Sequence, residues 1–566
     1  MTTQTLHLLL PEMLLTAVAV VVYMGGAFVA ARRPWSWIAG AAVLAAAGLL
    51  WSQHGAATAS AGLNIDHLAH FGRWLALALG GLLLLLTARP LPGIGTPEYA
   101  GSLLLTVVGL MLVSGAGDLV LLFVGLELIS IPTYILLYLG RRDATSQESA
   151  AKYFYLSVLA SAMLLYGFSF LYGTGGETNL AAIAARLADA EHLPAGFDRL
   201  LNVALVLILA GLGFKMAAVP FHFYAPDVYQ GTTHANAAVL SVVPKAAGLI
   251  VLVRLMPTAI SPGAAADGTI WRIALALAVL SMSFGNVLAL WQQNLRRLLA
   301  YSSIAQAGYL LVGLTVLAAT GGAAESWNAV TAILFYLAVY AAAIIGTFAV
   351  LAWLGHEERQ IDSVDELIGL GRMRPAAAAM LAVFMFSLTG IPPLAGFWGK
   401  LLIFGNALSV DAGVTGGSRQ PWFVALAVIG VLNAAVSAAY YLRIVAVMYF
   451  RTPLATPKAR GGLGAWLAAA VCTLLVVALG LYPRPLLQEA ERVQGSGFRV
   501  QDVDARVQGS GFRVQDFDTL VSEPVKRRSS AHALSAHPEP RTLNPEPSFL
   551  NPEPSSGVRH PLLLLP

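Results

Sequence analysis

Long apolar stretches separated by short polar segments run from the N-terminus to Tyr482. Each stretch holds roughly 20 residues, the length with which an α-helix crosses the hydrocarbon core of a bilayer. The pattern predicts an all-α polytopic membrane protein with about fourteen transmembrane helices. In chain order the predicted spans are Leu8–Ala31, Trp35–Gln53, His70–Ala88, Tyr99–Ser114, Leu119–Gly140, Ala150–Tyr172, Leu200–Tyr224, Ala235–Met256, Ile270–Gln292, Leu298–Ala319, Asn328–Leu354, Pro375–Leu408, Pro421–Tyr449 and Leu463–Tyr482.

Two of these spans, the seventh and the twelfth, contain residues that interrupt a helix. Span seven reads GFKMAAVPFHF, with Pro220, and span twelve reads SLTGIPPLAGFWGK, with Gly390 and two prolines. Proline removes a backbone donor and collides with the preceding turn, so neither stretch continues as one straight helix. Broken helices in corresponding positions of two halves are typical of inverted repeats around a transport site. Because the breaks lie five spans apart, we predict two inverted five-helix repeats, spans 4–8 and spans 9–13, each with a broken helix.

This reasoning divides the chain into five parts. Residues 1–98 hold the first three spans, 99–256 the first repeat, 270–450 the second repeat, 463–483 the last span, and 484–566 a tail. The tail is polar and rich in Pro, Ser and Glu, and it nearly repeats itself: RVQGSGFRVQDVDA is followed directly by RVQGSGFRVQDFDT. Such a composition cannot bury a core, so we predict a disordered tail. The repetition also suggests translated repetitive DNA; on that hypothesis a chain ending near Pro485 inserts and assembles normally.

Charged residues are scarce and lie mostly at the ends of the spans. Of the 566 residues 57% are hydrophobic and 11% charged, against about 25% charged in soluble proteins. The net charge of +4 does not indicate nucleic-acid binding, because the basic residues lie in loops between spans. Loops after odd-numbered spans, such as the one with Arg32 and Arg33, are richer in Lys and Arg than loops after even-numbered spans. The positive-inside rule therefore predicts that both ends of the helical core lie on the outer side of the membrane.

The sequence excludes several kinds of chemistry. Its one cysteine, Cys472, cannot form a disulfide within the chain, and cluster ligation by this chain would need about four thiolates. No Walker A lysine motif, no GxGxxG after a predicted strand and no HExxH occurs. We therefore expect that this chain binds no cofactor and no metal.

Four ionisable residues within the apolar spans are the candidates for function. Glu127 lies in span five, Lys215 just before the break of span seven, Lys245 near the middle of span eight, and Lys400 after the break of span twelve. An ionisable group at mid-bilayer costs at least ~2.5–3.5 kcal/mol, so it needs a partner, a cavity or a function. Pairing and desolvation both change proton affinity, so a Glu–Lys pair that forms and breaks can drive proton uptake and release. The set predicts a proton relay; the alternative is a static ion pair that fixes helix packing.

Other polar residues are weaker candidates. His222 and His234 flank the segment between spans seven and eight, where each could pass protons or be a hydrogen-bonded interfacial histidine. Lys152 and Asp118 lie near helix ends, where charge is ordinary. Span eleven has no Lys, His or acid, so a relay from Lys245 to Lys400 would use water and hydroxyl groups there, although we interpret its tyrosines mainly as packing or water-ordering residues.

The residues around these charges resemble a known family. GLELISIPTYILLYLGRRDATSQESAAKYFYLSVLASAMLLYGFSFLYG, GLGFKMAAVPFHFYAPDVYQG, NLRRLLAYSSIAQAGYLLVGL and FSLTGIPPLAGFWGK are similar to the corresponding stretches of the antiporter-like subunits of NADH–quinone oxidoreductase (respiratory complex I), above all subunit N. The resemblance covers residues 5–485. Lys400 disfavours subunit M, which normally has Glu there, and the Pro-rich tail disfavours subunit L. The tail departs from the family, whose chains usually end soon after the last helix, which agrees with the hypothesis that it is not native to the family.

The resemblance implies a non-redox, proton-translocating membrane-arm subunit of this translocase. The family's glutamate maps onto Glu127, its broken-helix lysine onto Lys215, its central lysine onto Lys245 and its terminal lysine onto Lys400. Quinone, NADH, FMN and the iron–sulfur clusters would be held by other subunits. The implied partners are neighbouring antiporter-like and small membrane subunits and the lipid bilayer, not nucleic acid. The implied location is a bacterial inner membrane.

Two alternatives use the same residues. A stand-alone or multisubunit Na⁺/H⁺ antiporter component would carry the same lysines, and its loss would make growth sensitive to salt. A scaffold subunit would only fill the membrane arm, and neutralising Lys245 would then leave pumping unchanged.

Overall fold

The structure of the protein is a computed structural model that describes residues 3–29, 33–53, 58–60, 62–88, 96–141, 143–188, 197–259, 268–320, 324–355, 360–410, 419–452 and 461–493. All of these residues belong to the first of two units into which the chain divides, 1–506. The short sequence repeats of the predicted tail begin at Arg492. Apart from Arg492 and Val493, they lie outside the described residues.

The described part is almost entirely helical. Its helices are α1 Thr3–Leu8, α2 Leu10–Phe28, α3 Arg33–Ser52, α4 His67–Leu86, α5 Thr96–Ser114, α6 Leu119–Gly140, α7 Ala144–Gly175, α8 Leu180–Ala188, α9 Phe197–Met216, α10 Ala225–Gly231, α11 His234–Ala259, α12 Thr269–Leu290, α13 Leu295–Thr320, α14 Ala324–Leu354, α15 Leu370–Met373, α16 Pro375–Thr389, α17 Ala395–Leu408, α18 Gln420–Phe450, α19 Gly462–Leu481 and α20 Arg484–Arg492. A 3₁₀ turn, Val364–Leu367, precedes α15.

The predicted all-α polytopic fold is confirmed. Among the described residues, thirteen helices are long and apolar enough to cross a membrane, namely α2 to α7, α9, α11 to α14, α18 and α19. The remaining predicted span, the twelfth, is divided between the shorter helices α16 and α17. The sequence pattern missed one small element, an antiparallel hairpin between α3 and α4 formed by β1 (Thr58–Ser60) and β2 (Leu63–Ile65). Three-residue strands are too short to give an alternating pattern.

Both predicted helix breaks are present. Helix α9 ends at Met216, and Ala217 takes a φ of 56°, so the backbone leaves the helix before Pro220. Helix α16 ends at Thr389 and is capped by Gly390, whose φ of 95° is in the left-handed region that glycine adopts without steric cost. Two prolines then separate α16 from α17. The breaks place the ends of half-helices inside the protein.

Three helices form the interior of the bundle. All of the most apolar 18 residues of α11 are buried, and 94% of those of α13 and α14. By contrast, the corresponding share is only 28% for α2 and α19 and 33% for α3 and α18. These four helices therefore turn most of their apolar surface outward, where a soluble protein would bury it. The buried helices α11, α13 and α14 carry Lys245 and most of the polar groups near it.

Corresponding helix pairs of the two predicted repeats pack in the same way. Helices α5 and α6, spans four and five, pack through Gly109 and Gly125, where an added Cβ would lie 2.9 Å and 3.3 Å from the facing glycine's carbonyl oxygen. Helices α12 and α13, spans nine and ten, pack as closely through Gly285 and Gly308, where an added Cβ would lie 2.6 Å from a facing backbone nitrogen. These contacts agree with the predicted repeats, whose two-fold relation stays a prediction.

The prediction that the disordered tail begins at residue 484 is wrong, because the next residues form about three further helical turns. Residues Arg484–Arg492 form α20, which packs against α14. Leu487, Ala490 and Val493 are buried, whereas Glu489 and Arg492 are exposed. The spacing of three residues makes one narrow apolar face, which is enough to hold a short helix on the bundle.

Candidate functional site

Glu127 and Lys215 are brought together across two helices. The Lys215 ammonium nitrogen lies 3.8 Å from Glu127 Oε1, with α6 carrying the acid and α9 the base. The lysine side chain is only 3% exposed, while that of Glu127 is 23% exposed. At 3.8 Å the two charges attract but do not form a short direct hydrogen bond.

Serine hydroxyls fill the space around this pair. Lys215 Nζ donates to Ser130 Oγ at 2.5 Å and lies 3.3 Å from Ser157 Oγ and 3.4 Å from Ser161 Oγ. Ser161 in turn donates to Glu127 Oε1 at 2.5 Å. Ser161 therefore connects the base to the acid through one hydroxyl, which can accept and donate a proton.

Lys245 has a different environment. Its ammonium group donates to the carbonyl oxygen of Ser303 at 2.5 Å, to Ser303 Oγ at 2.7 Å and to Tyr340 OH at 3.3 Å. The nitrogen also lies 4.7 Å from the centre of the Tyr340 ring, and the Tyr340 hydroxyl is 2.8 Å from Ser303 Oγ. Lys245 is 2% exposed, and no carboxylate among the described residues pairs with it. A buried cation without a counter-charge is costly, so this group is held by oxygen dipoles and an aromatic face.

Polar groups continue from Lys245 toward Lys400. Tyr336 and Tyr340 are four residues apart on α14 and so lie on one face, one turn from each other. Tyr336 OH donates to Gln306 Oε1, and Gln306 Nε2 donates to Tyr441 OH at 3.2 Å and to the Leu388 carbonyl at 3.4 Å. All of these side chains are buried.

Lys400 lies at the end of this series. Its ammonium nitrogen donates to the carbonyl oxygens of Leu388 and Thr389, each at 2.8 Å, and lies 4.8 Å from the centre of the Tyr309 ring. Leu388 O is shared with Gln306, so the same carbonyl joins Lys400 to the amide. The four charged residues predicted from the sequence are thus all buried or half-buried. Glu127 and Lys215 share one cluster, and Lys245 lies in a second, from which a row of polar groups leads toward Lys400.

The sequence analysis missed most of the uncharged members of these clusters. Ser157 and Ser161 are one turn apart on α7, and Ser130 is three residues after Glu127, so helical spacing alone places them on the faces that meet. Gln306 lies within the motif stretch containing SSIAQ but is uncharged. A search for polar residues three or four positions from the buried charges would have found Ser130 but not Ser157 and Ser161, whose helix carries neither Glu127 nor Lys215.

The weaker candidates lie apart from the four buried charges. His222 is half-buried in the turn after the break of span seven, and His234 is buried at the start of α11, with its ring centre 6.2 Å from that of Phe348. Within the described ranges, no hydrogen bond or ion pair joins either histidine to the four buried charges. Asp118 accepts a hydrogen bond from Val120 N as the N-cap of α6, as is ordinary at a helix end.

An ion-pair cluster ties three elements together near α10. Asp227 in α10 pairs with Arg297 at 2.6 Å and with Lys152 at 3.2 Å, and Lys152 also pairs with Glu148 at 2.6 Å. Arg297 further donates to Gln230 at 2.9 Å. Lys152 is therefore a surface ion-pair residue.

The neighbouring residue Arg296 contacts two different segments of the chain. Arg296 donates to the Thr232 carbonyl and pairs with Asp362, and it donates to Gln360 at 3.1 Å. The two consecutive arginines of α13 thus bind α10 and the residue that follows it on one side, and through Arg296 also the segment before α15 on the other. Among the described residues, no group of three or more His, Cys, Asp and Glu is arranged to hold a metal ion.

Comparison with known proteins identifies related chains. The family model described as NADH:quinone oxidoreductase/Mrp antiporter, TM, matches residues 116–418. NADH-quinone oxidoreductase subunit N of Paramagnetospirillum magneticum is 37% identical over 442 residues, 77% of this chain and 85% of that protein. The subunit N of Desulfovibrio desulfuricans is 37% identical over 506 residues, 85% of this chain and 95% of that protein. A chain of respiratory complex I from Thermus thermophilus with bound Aureothin superimposes with a TM-score of 0.69 at 31% identity, covering 84% of this chain and 98% of that one.

Proposed function

Because the chain belongs to the NADH-quinone oxidoreductase subunit N family of antiporter-like membrane subunits, we propose that it moves protons across the membrane through its buried Glu127 and lysines. The chain is a multi-pass membrane protein and a subunit of the translocase complex. It acts beside other membrane subunits. We propose in addition which residues form the relay, in which order they act, and on which side of the membrane each one works.

In this proposal Lys215, modulated by Glu127, receives protons from the cytoplasmic side. Lys245 passes them through the middle of the bundle and Lys400 releases them outward. The free energy comes from quinone reduction in other subunits, which also hold NADH, FMN and the iron–sulfur clusters. The excess of basic residues in odd-to-even loops supports a bacterial inner-membrane location with both core termini on the periplasmic side.

One observation carries the proposal: a row of polar groups lies between Lys245, in the first predicted repeat, and Lys400, in the second. Lys245 contacts Tyr340, Tyr336 lies one turn away, and Tyr336, Gln306 and the Leu388 carbonyl lead to Lys400. Hydroxyl groups both accept and donate protons, whereas apolar side chains do neither. In a bundle interior made largely of apolar side chains, a row of polar groups with a lysine at each end favours proton transfer over simple packing.

Lys245 is the residue on which to test the relay. We expect Lys245→Ala to abolish NADH-driven proton pumping, together with the NADH–quinone electron transfer that is tightly coupled to it, while a native gel shows an intact complex. Lys245→Arg separates two roles, because arginine keeps the positive charge but does not deprotonate in proteins. A relay requires that Lys245→Arg also fail. Normal pumping by both variants would instead indicate a scaffold subunit.

The matching family also includes Mrp antiporters, so an antiporter component is the second candidate function. Purification separates the two. A respiratory subunit copurifies with NADH dehydrogenase activity, whereas an antiporter component does not, and its deletion makes growth sensitive to sodium salt.

A further inference from the structure

Lys400 is held by the unpaired end of a half-helix. The last four carbonyls of a helix have no intrahelical partner. At the end of α16, the Gly390 amide bonds to the carbonyls of Phe386 and Ser387, each at 3.0 Å. The next two carbonyls, of Leu388 and Thr389, are the ones that accept from Lys400.

An aromatic ring and close packing complete the surroundings of the ammonium group. The Tyr309 ring centre lies 4.8 Å from Lys400 Nζ, within the range of a cation–π contact. A Cβ added at Gly390 would lie 3.0 Å from Lys400 Cδ, so the lysine stem fills the space beside the glycine. Lys400 is 5% exposed, and its recorded polar partners in the described part of the chain are both carbonyl oxygens.

We propose that the break between α16 and α17 is a monovalent-cation site whose tethered occupant is the Lys400 ammonium group. Two convergent carbonyl oxygens at the negative end of a helix dipole, together with a π face, are groups that bind a small cation. Among the described residues the site supplies partial negative charge but no carboxylate, which suits one positive charge and not a divalent ion such as Ca²⁺. Removal of the lysine side chain therefore leaves a vacated site for free ammonium. This inference depends only on the contacts of Lys400 and holds whether or not the residue carries transported protons.

Lys245 provides an internal comparison. It also contacts a carbonyl, of Ser303, and a tyrosine ring. Ser303 lies inside α13, where the amide four residues later takes the same carbonyl oxygen. The dipole of α13 also has no end at that point. The position of its two carbonyls at a helix end thus distinguishes the Lys400 site from the Lys245 site.

The test uses the purified complex with Lys400→Ala and measures its thermal unfolding midpoint as a function of ammonium chloride at constant ionic strength. Tetramethylammonium chloride replaces ammonium in the reference series, because it has no N–H group and is too wide for the site. We expect the midpoint of Lys400→Ala to lie below that of the wild type, to rise with ammonium and to saturate. The wild-type midpoint stays unchanged, since its site is filled.

Matched variants separate the site from a general salt effect. Lys400→Met keeps the site filled with an uncharged chain of similar length, so ammonium is expected to have no effect on it. Lys245→Ala is expected to show none either. In the Lys400→Ala background, Tyr309→Leu removes the π face and should raise the ammonium concentration needed for half of the rise.

Absence of an ammonium-dependent rise in Lys400→Ala would overturn the inference, and so would an equal rise in Lys400→Met. Lys400→Ser is the second variant. If neither Lys400→Ala nor Lys400→Ser yields a stable complex, assembly on a native gel with and without ammonium becomes the measurement, and only ammonium-dependent assembly supports the site. Proton pumping measured on the same samples tests the relay separately: normal pumping by Lys400→Ala without ammonium contradicts the relay but not the cation site.

Discussion

The three buried lysines differ in what stabilises their charge. Lys215 has a carboxylate 3.8 Å away and several serine hydroxyls, Lys245 has two hydroxyls, a carbonyl and an aromatic ring, and Lys400 has two carbonyls and a ring. Among the described residues, only Lys215 therefore has a charged partner. A movement of that partner could change the proton affinity of the lysine. This difference makes Glu127 the place where a neighbouring subunit could influence the lysines of this chain.

Replacing Glu127 with Gln tests this role. The amide keeps the shape of the side chain and a hydrogen bond with Ser161 but removes the negative charge near Lys215. We expect the pumping rate to fall by roughly tenfold, the effect of about 1.4 kcal/mol on a barrier, with assembly unchanged. Glu148→Gln is the matched control, because Glu148 pairs with Lys152 on the surface. Equal pumping by the two variants would mean that the pair is static.

Gln306 allows a second test at the residue scale. Gln306→Leu preserves volume but removes the hydrogen bonds to Tyr336, Tyr441 and Leu388 O. If protons pass from Lys245 to Lys400 by this way, pumping falls by at least about tenfold. Thr315→Val, on the same helix, is the control because it loses only a bond to its own backbone at Leu311. A Gln306→Leu complex that assembles and pumps normally would show that protons take another way.

The charged residues of the site could be predicted from the sequence, but most of their uncharged partners could not. A Lys or Glu inside an apolar span is rare enough to be informative. Serine and threonine are common where membrane helices pack, so Ser157 or Ser303 alone indicates nothing. Their importance depends on which helices meet, and one sequence does not contain that information.

At the scale of elements, the breaks are where local sequence determines function. Helix α6 has the predicted bounds, Leu119–Gly140, because its apolar residues extend to both of its ends. Helix α7 begins six residues before the predicted start, at Ala144, because Asp143 caps its first turn and its polar residues are still helical. Apolar patterns therefore locate spans well but underestimate helices that extend beyond the apolar layer.

Gly390→Ala tests the break of span twelve. Alanine at a φ of 95° costs about 1–2 kcal/mol, and its Cβ would come within 3.0 Å of Lys400 Cδ. We expect a lower thermal midpoint of the complex and weaker pumping, because the lysine must shift. Gly405→Ala is the matched control: it lies inside helix α17 with nothing within 4 Å of an added Cβ, so it should be neutral or raise stability by about 0.5–1 kcal/mol. The argument fails if both substitutions have the same effect.

At the scale of the whole molecule, the two broken helices are linked through α13. Arg297 binds Asp227 in the segment that follows the first break, and Arg296 binds Asp362 in the segment that leads to the second. Because these arginines are adjacent, both segments are held at the same end of a single helix. The link had no signature in the sequence, since Arg296 and Arg297 looked like ordinary basic residues of a loop.

Asp227→Asn tests the link, and its pH dependence follows from the charges. Partial burial acts to raise the pKa of Asp227, but Arg297 and Lys152 outweigh it and hold the pKa below its ordinary value of 3.8. A carboxyl group with a lowered pKa contributes stability that is complete above its unfolded pKa and is lost only as the pH falls through the lower folded value. The contribution of Asp227 is therefore constant at neutral pH and disappears only in acid below about pH 4.

We expect Asp227→Asn to lower the thermal unfolding midpoint of the complex by the same amount at pH 6 and at pH 8. Since each pair is partly exposed, the loss should be small, about 0.2–1 kcal/mol per pair, and should shrink at high salt. Asp365→Asn is the control, because Asp365 makes a single exposed pair with Arg451 at 3.4 Å. If the loss at Asp227 were to vanish at pH 6, its carboxylate would be protonated there, and Arg297 would not be the partner that holds the first broken helix to α13.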